Sequence, residues 1–354
     1  MRVYCVNEPF HIDFMRLLFR AKIDEMSWKI VGHDWAVELL RNHVRRGQMR
    51  HAYLFSGPQG LGRRTLALEF AKAINCRQVD EQGNPCGSCS MCNKFDQMQQ
   101  VDLSIVQAEE IGGTIKVEQV RDLQHSLSLT PYEANYRVAL LLRFQEANAN
   151  AQNALLKILE EPPPRVVLLL TVDAVDNLLP TVASRCEVLR LRPMPINGLK
   201  RALSDNYEVD GDQAEQLAHF SGGRVGLALG MREDPLLLEQ RDHWLAELKR
   251  LLHSDRCDRF AFAEGIYRNR NKVRTCLQTW LTYWRDVMIL TTGSDVPLVN
   301  IDHRTEIMKI AAEHDLRSAK QRVSDIDRTI QLMDTTNTNI RMLIEALLLD
   351  LPRL

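Results

Sequence analysis

The order of apolar and polar positions predicts an α/β domain in the first part of the chain. Short apolar runs at 103–106, 137–142 and 166–171 are typical of strands that are buried on both faces of a parallel sheet. Segments with helical spacing of apolar residues, such as 151–161, separate these runs. Because predicted strands alternate with predicted helices, we expect a three-layer parallel α/β domain over about 26–194.

Beyond residue 194 the pattern changes to helices alone. Pro193 and Pro195 mark a linker, and the short helical segments of 195–235 predict a small helical domain. Longer helices with stripes of leucine and tryptophan fill 236–354. We expect this last part to be an oligomerisation domain.

Residues 1–25 fit the predicted domain poorly. Their one apolar cluster, Phe14–Phe19, is flanked by charges. It lacks the long apolar region and the small-residue cleavage site of a signal peptide. We expect this segment to be an extension or a mis-assigned start.

A glycine-rich loop follows the apolar run Tyr53–Phe55. Gly57, Gly60 and Gly62 come next, and a helix with apolar residues four apart begins directly afterwards. Glycines let backbone N–H groups turn inward, and a helix N-terminus adds partial positive charge. The stretch therefore predicts a phosphate-binding loop, although a strand, turn and helix without any ligand give the same pattern.

The side chains of this loop depart from the functional motif G-x-x-x-x-G-K-[ST]. Arg63 stands at the lysine position, and Arg64 stands at the position of the serine or threonine that binds Mg²⁺. Thr65 lies one position too late. We expect ATP or ADP binding by this chain to be weak or absent.

The second element of an ATPase is missing from the run 137–142. A hydrolase needs an acidic pair after this strand for Mg²⁺ and the attacking water. Leu142 and Arg143 occupy those positions, and Glu146 is predicted to be a solvated residue at a helix start. Loop and strand have each lost their catalytic groups, so the sequence argues against hydrolysis.

Four of the eight cysteines form a module over 76–92. Cys76, Cys86, Cys89 and Cys92 have the spacing C-x9-C-x2-C-x2-C, and four thiolates close a tetrahedral structural zinc site. An iron–sulfur cluster also uses four cysteines and stays open. A disulfide framework is disfavoured in a large chain without a secretion signal. The other cysteines are predicted to be small buried residues: Cys5, Cys186, Cys257 and Cys276.

The composition excludes some classes of function but indicates no catalytic residue. The 354 residues carry a net charge of −1, so no global basic field indicates avid nucleic-acid binding. This neutrality also disfavours a stand-alone zinc-binding nucleic-acid module. The basic run Arg45, Arg46 and Arg50 is predicted to be a solvated face. No apolar run approaches the length of a membrane span, and we expect a cytoplasmic protein.

Several stretches resemble the bacterial clamp-loader AAA+ family. Residues 153–163 read NALLKILEEPP, and residues 178–186 read LLPTVASRC. The four-cysteine module, the segments 30–33 and 51–55, and the ending at 337–339 are similar to that family too. The chain is therefore identified as a member of a clamp-loader family.

This resemblance extends over about 26–354 and is most specific over 51–190. It implies a RecA-like AAA+ P-loop domain with an inserted zinc knuckle, a helical lid and an all-α collar in a pentameric ring. It implies a subunit of DNA polymerase III, a DNA-directed DNA polymerase and nucleotidyltransferase, that supports ATP-dependent loading of the sliding clamp. The implied partners are the gamma/tau and delta subunits, the clamp and primed DNA.

The resemblance also implies a role for Arg185, within Ser-Arg-Cys at 184–186. Such an arginine reaches the γ-phosphate of ATP held by a neighbouring subunit and acts as an arginine finger in trans. The alternative is an ordinary ion pair within the chain. Thr171 occupies a sensor position, and Arg224 resembles the arginine of a lid motif that reaches the nucleotide; both are expected to be vestigial. The broken loop favours a member without ATPase activity over the alternative, a gamma/tau-type ATPase.

Overall fold

The computed structural model describes residues 28–109, 113–335 and 338–353. The predicted extension at 1–25 and Asn337 of the family-like ending lie outside the described residues. Within those described ranges, none of the helices combines the length and the apolarity that a membrane span requires.

The chain divides into two compact units. The first unit runs to Met194 and also contains 201–209, whereas the second contains 195–200 and the chain from Asp210 onward. Each unit has its own hydrophobic core.

A five-stranded parallel sheet forms the centre of the first unit, which confirms the predicted α/β class. The strand order is β2-β3-β4-β1-β5, and all pairings are parallel. The strands are β1 (Ala52–Ser56), β2 (Leu103–Val106), β3 (Arg137–Leu141), β4 (Val166–Val172) and β5 (Glu187–Arg190). Because parallel strands end at the same edge, the segments after β1, β3, β4 and β5 meet there.

Helices of the first unit cover this sheet. They are α1 (Asp34–Arg46), α2 (Arg63–Asn75), α3 (Ser90–Asp96), α4 (Val117–Leu127), α5 (Ala149–Glu160) and α6 (Pro180–Ala183). Alternate residues of β1 enter separate cores: Phe55 lies in the same core as Phe70, and Leu54 lies in the same core as Leu155. Helix α5 starts two residues before its predicted start because the Asn148 side chain caps it, accepting a 2.8 Å hydrogen bond from the N–H of Ala151.

Every described element of the second unit is helical. Helix α7 (Ile196–Tyr207) is divided between the two units. The others are α8 (Gly211–Phe220), α9 (Val225–Glu233), α10 (Pro235–Leu252), α11 (Arg256–Ile266), α12 (Arg270–Thr291), α13 (Arg304–Glu313), α14 (Leu316–Thr335) and α15 (Ile340–Asp350). The predicted tryptophan stripes are core: Trp244, Trp280 and Trp284 are buried, and the Trp280 indole N–H donates to the Trp244 carbonyl at 2.8 Å.

Candidate functional site

The glycine-rich loop connects β1 to α2 at the carboxyl edge of the sheet. Gly57, Gly60 and Gly62 all have positive φ angles, of 147°, 83° and 86°. At Gly57 a Cβ atom would lie 2.6 Å from the carbonyl oxygen of Leu191, so a larger residue does not fit. The predicted strand, glycine-rich loop and helix are therefore all present.

Arg63, at the motif's lysine position, turns into the protein. Its side chain is 7% exposed, and Nη2 lies 2.8 Å from the carboxylate of Asp173, the residue directly after β4. Burial lowers the pKa of the Arg63 guanidinium, and Asp173 partly offsets that effect. Arg64 is exposed and Thr65 is half-buried. The cation of the loop is thus held by a carboxylate of the same chain.

The end of β3 carries a cation where an ATPase has its acidic pair. Arg143 has a left-handed backbone, and its N–H donates to the Thr171 hydroxyl at 2.9 Å. Its Nε donates to the Glu146 carboxylate at 3.0 Å. The prediction that Glu146 is solvated is wrong, because its side chain is only 10% exposed and belongs to this pair. Thr171, the proposed sensor, positions the backbone of Arg143.

His33 also holds the glycine-rich loop, and the sequence did not single it out. Its Nε2 lies 3.0 Å from the carbonyl oxygen of Leu61, in the middle of the loop. Burial lowers the pKa of this imidazole, which keeps it neutral near pH 7. The hydrogen bond joins the residues before α1 to the loop, a long-range contact without a signal in local sequence.

Arg185 lies just after α6 and is partly accessible. Its side chain is 36% exposed, Nη2 pairs with the Glu160 carboxylate at 2.9 Å, and Nη1 donates to the Thr181 carbonyl at 2.9 Å. Glu160 ends α5 and is itself half exposed. The single chain therefore shows the ion pair that was the alternative to a finger, with the guanidinium still near the surface. Arg224 caps α9, and its Nε donates to the Ser221 carbonyl at 2.7 Å.

The four cysteines of the module converge on one point. Cys76 follows α2, Cys89 caps α3, and the four sulfur atoms all lie within 4.8 Å of one another. A tetrahedron with Zn–S bonds of about 2.3 Å has sulfur–sulfur edges of about 3.8 Å. The distances of 3.5 Å from Cys76 to Cys86 and 4.0 Å from Cys86 to Cys92 fit this geometry. These cysteines are free thiols, which excludes the disulfide alternative for them.

Backbone N–H groups orient the sulfur atoms. The N–H groups of Cys86 and Cys89 donate to the preceding sulfur of the module, at 3.2 Å and 3.3 Å. Burial raises the pKa of Cys86, but hydrogen bonds from Ser88, Cys89 and Cys76 outweigh it and lower the pKa to about 6. A low thiol pKa favours the thiolate that a metal ion binds. Burial raises the pKa of Cys76 and Cys92, so the fit to a single metal ion depends on the positions of the four sulfur atoms.

Close packing fixes the turn that precedes Cys86. Gly83 has a φ of 85°, and a Cβ there would lie 2.7 Å from the Arg41 carbonyl oxygen. The Asp80 carboxylate accepts hydrogen bonds from the N–H groups of Gln82 and Asn84, at 2.9 Å and 2.7 Å. This turn places Cys86 beside Cys76.

The other cysteines show no common site among the described residues. Cys276 is buried and Cys186 is half-buried. The prediction that Cys257 is buried is wrong, since it lies exposed on the first turn of α11. Cys5 lies outside the described residues.

Comparison with known proteins finds several relatives that belong to one group. The sequence profile of the family "DNA polymerase III, delta subunit" matches residues 32–195. DNA polymerase III subunit delta' of Bacillus subtilis is 27% identical over 92% of this chain and 98% of its own length. The delta' subunit of Pseudomonas aeruginosa is 35% identical over 62% of this chain and 67% of its own length. The tau subunit of Escherichia coli is 33% identical over 49% of this chain and 26% of its own length.

These proteins define a class, the subunits of bacterial DNA polymerase III. Both delta' relatives match over a large share of their own length, whereas the chain spans about a quarter of tau. The chain belongs to the DNA polymerase III subunit delta' family. The resemblance stated from the sequence motifs is confirmed at this level.

Proposed function

We propose that this chain is a clamp-loader subunit of the delta' type that does not hydrolyse ATP itself. In this proposal it supports ATP-dependent loading of the sliding clamp onto primed DNA, in a ring with gamma/tau and delta subunits. The first unit is then a RecA-like AAA+ domain, 195–235 a lid and 236–354 a collar. The metal of the cysteine module is zinc with a structural role.

The observation that supports the absence of hydrolysis is the charge at the carboxyl edge of the sheet. Mg²⁺ in such sites is held by a hydroxyl of the loop and a carboxylate after the next catalytic strand. Here Arg64 replaces the hydroxyl, and Leu142 and Arg143 occupy the positions of the acidic pair. Arg63 is paired with Asp173. The hydroxyl and the carboxylate that hold Mg²⁺ are thus both missing, and the arginines at 64 and 143 repel the ion, which also disfavours the alternative of a gamma/tau-type ATPase.

The position of Arg185 supports a role towards a neighbour. The guanidinium is partly exposed, and its partner Glu160 is on the surface, so the ion pair is screened by solvent. A weak surface pair can exchange for a phosphate of a neighbouring subunit at low cost. An arginine supplied in this way stabilises charge on the transferring phosphoryl group.

The test is the DNA-stimulated ATPase rate of a reconstituted ring with gamma/tau and delta. The chain alone is expected to show no ATPase activity. Arg185→Ala should slow the site that it faces by about 10³-fold or more. The ATPase sites that face other subunits keep hydrolysing ATP, so the total ATPase rate of the ring falls only by the contribution of the one affected site.

Matched variants separate the finger from a structural ion pair. Glu160→Gln removes the pair but keeps the arginine, so the ring rate should be retained. Arg121→Ala removes an exposed arginine of α4 and should also leave the rate unchanged. If Arg185→Ala and Glu160→Gln lower the ring ATPase rate equally, Arg185 has only a structural role. ATP turnover by the isolated chain would support the gamma/tau alternative.

A further inference from the structure

The glycine-rich loop keeps backbone N–H groups that are suited to bind an anion. Within the described part of the chain, the N–H groups of Gly60 and Gly62 have no hydrogen-bond acceptor. Gly62 caps the N-terminus of α2, where the helix dipole adds partial positive charge. The loop thus has the backbone N–H donors of a phosphate site, although two of its side chains differ from the functional motif.

A buried side chain at the same place has unused hydrogen-bonding capacity. Arg63 is 7% exposed, and its Nη1 is buried without a hydrogen-bond partner among the described residues. Its Nη2 lies 2.8 Å from the Asp173 carboxylate. A buried guanidinium nitrogen without an acceptor is costly, and an oxyanion is the acceptor that suits it.

Strand pairing places Asp173 beside the loop. In the parallel pairing of β1 and β4, Ser56 is level with Val172, and the N–H of Gly57 donates to the Val172 carbonyl at 3.1 Å. Asp173 and Gly57 therefore leave the sheet next to each other. A carboxylate at this position competes with a phosphate for the same guanidinium and repels it by charge.

We infer that Asp173 determines the ligand specificity of the loop, acting as a built-in anion that keeps polyphosphates out. In this arrangement the loop is a phosphate site closed by its own chain, and neutralising Asp173 opens it. The inference deepens the proposed lack of nucleotide binding, but it does not depend on ring assembly or on Arg185.

Inorganic pyrophosphate is the probe, and titration calorimetry of the full chain is the measurement. Asp173→Asn keeps the size of the side chain and removes its charge. We expect its affinity for pyrophosphate to exceed that of the wild type by at least about tenfold, which corresponds to about 1.4 kcal/mol. The double variant Arg63→Met with Asp173→Asn removes the guanidinium and should lose that gain.

A second neutral variant, Asp173→Ser, protects the test against a folding defect in the first, and circular dichroism checks both. The inference is overturned if neither folded variant binds pyrophosphate more tightly than the wild type. It is also overturned if the gain persists without Arg63, or if the wild type already binds as tightly as the variants. The ATPase test of Arg185→Ala is done with Asp173 intact, so the two results are independent.

Discussion

At the scale of single residues, buried Asp102 organises the first unit through its hydrogen bonds. Its carboxylate accepts from the N–H groups of Tyr132, Glu133 and Ala134 at 2.8–3.0 Å, and from the Arg137 guanidinium at 3.1 Å. Burial alone raises the pKa of this carboxyl, but the hydrogen bonds outweigh burial and hold the pKa below its usual value. The folded state thus favours the charged form.

The lowered pKa of Asp102 determines how the stability of the protein changes with pH. Its contribution is fully present above the unfolded pKa of about 3.9 and is lost as pH falls through the folded value. We expect Asp102→Asn to destabilise the protein by about 3–5 kcal/mol at pH 7, because the buried Arg137 loses its counter-charge. Urea unfolding at pH 7 and at about pH 3.5 measures the difference, which should shrink at the lower pH.

Asp176→Asn is the control for this prediction. Asp176 is exposed, so its substitution should change the free energy of unfolding by less than about 0.5 kcal/mol. A difference between wild type and Asp102→Asn that grows as pH falls would contradict the assignment of the charged form to the folded state.

At the scale of elements, the cysteine module is a bridge between α2 and α3. A buried ion network reinforces it: Lys72 is 2% exposed, and its ammonium donates to Glu69 at 2.8 Å and to Asp96 at 3.0 Å. Glu69 and Lys72 lie on α2 and Asp96 ends α3, so the network spans the same two helices as the cysteines. The cysteine module and the ion pairs together hold a short helix that is too small to be stable alone.

We expect Cys86→Ser to bind the metal ion more weakly. Structural zinc contributes about 10–16 kcal/mol through four thiolates, so one ligand accounts for roughly 3 kcal/mol, or about two orders of magnitude in affinity. Metal content of the purified protein and titration against a chelator measure this. Because zinc binds the thiolates, protons compete with it, and zinc affinity should also fall as pH drops.

Cys257→Ser is the matched control, since this exposed cysteine lies in the second unit. It should retain one metal ion per chain. If iron rather than zinc is found, the identity of the metal is wrong but the ligand set stands. If Cys86→Ser holds its metal as tightly against a chelator as the wild type does, the ligand set is wrong.

At the scale of the whole molecule, α15 has two apolar faces. Ile344, Leu347 and Leu348 are buried in the core of the second unit. Met342 and Leu349 lie seven residues apart, which places them on one face of the helix, and they are 65% and 46% exposed. An exposed apolar face on the last helix is consistent with the proposed collar, in which neighbouring subunits cover it.

We expect the double variant Met342→Glu with Leu349→Glu to assemble poorly. Charges on this face oppose burial against a neighbour, but they do not touch the core, so folding is unchanged. The affinity for gamma/tau and delta should fall at least about tenfold, since two buried apolar side chains contribute more than 1.4 kcal/mol. Co-elution on size exclusion measures this loss.

Met308→Glu on α13 is the control for assembly, because Met308 is equally accessible, at 53%, on another helix. It should co-elute like the wild type. If the double variant assembles normally and has an unchanged unfolding curve, this face of α15 does not contribute to the ring.

The sequence by itself determined the parallel α/β class, the glycine-rich loop, the four-cysteine module and the family. Each depends on residues that are close along the chain or on a periodicity, such as the spacing from Cys86 to Cys92 or the apolar run of β4. Local geometry follows from local sequence, because strands, turns and thiolate spacing are set by neighbouring residues.

Only the tertiary structure decided the partners of the charged residues. Arg63 pairs with Asp173, Arg185 with Glu160, and Asp102 with Arg137, across separations that no sequence period marks. Glu146 and Arg143 are only three residues apart, but the tight turn that begins at Arg143, with its left-handed backbone, and the burial of Glu146 made them a pair. Ion pairs in the interior depend on which strand ends share an edge, and that follows from the order of strands in the sheet rather than from their order in the chain.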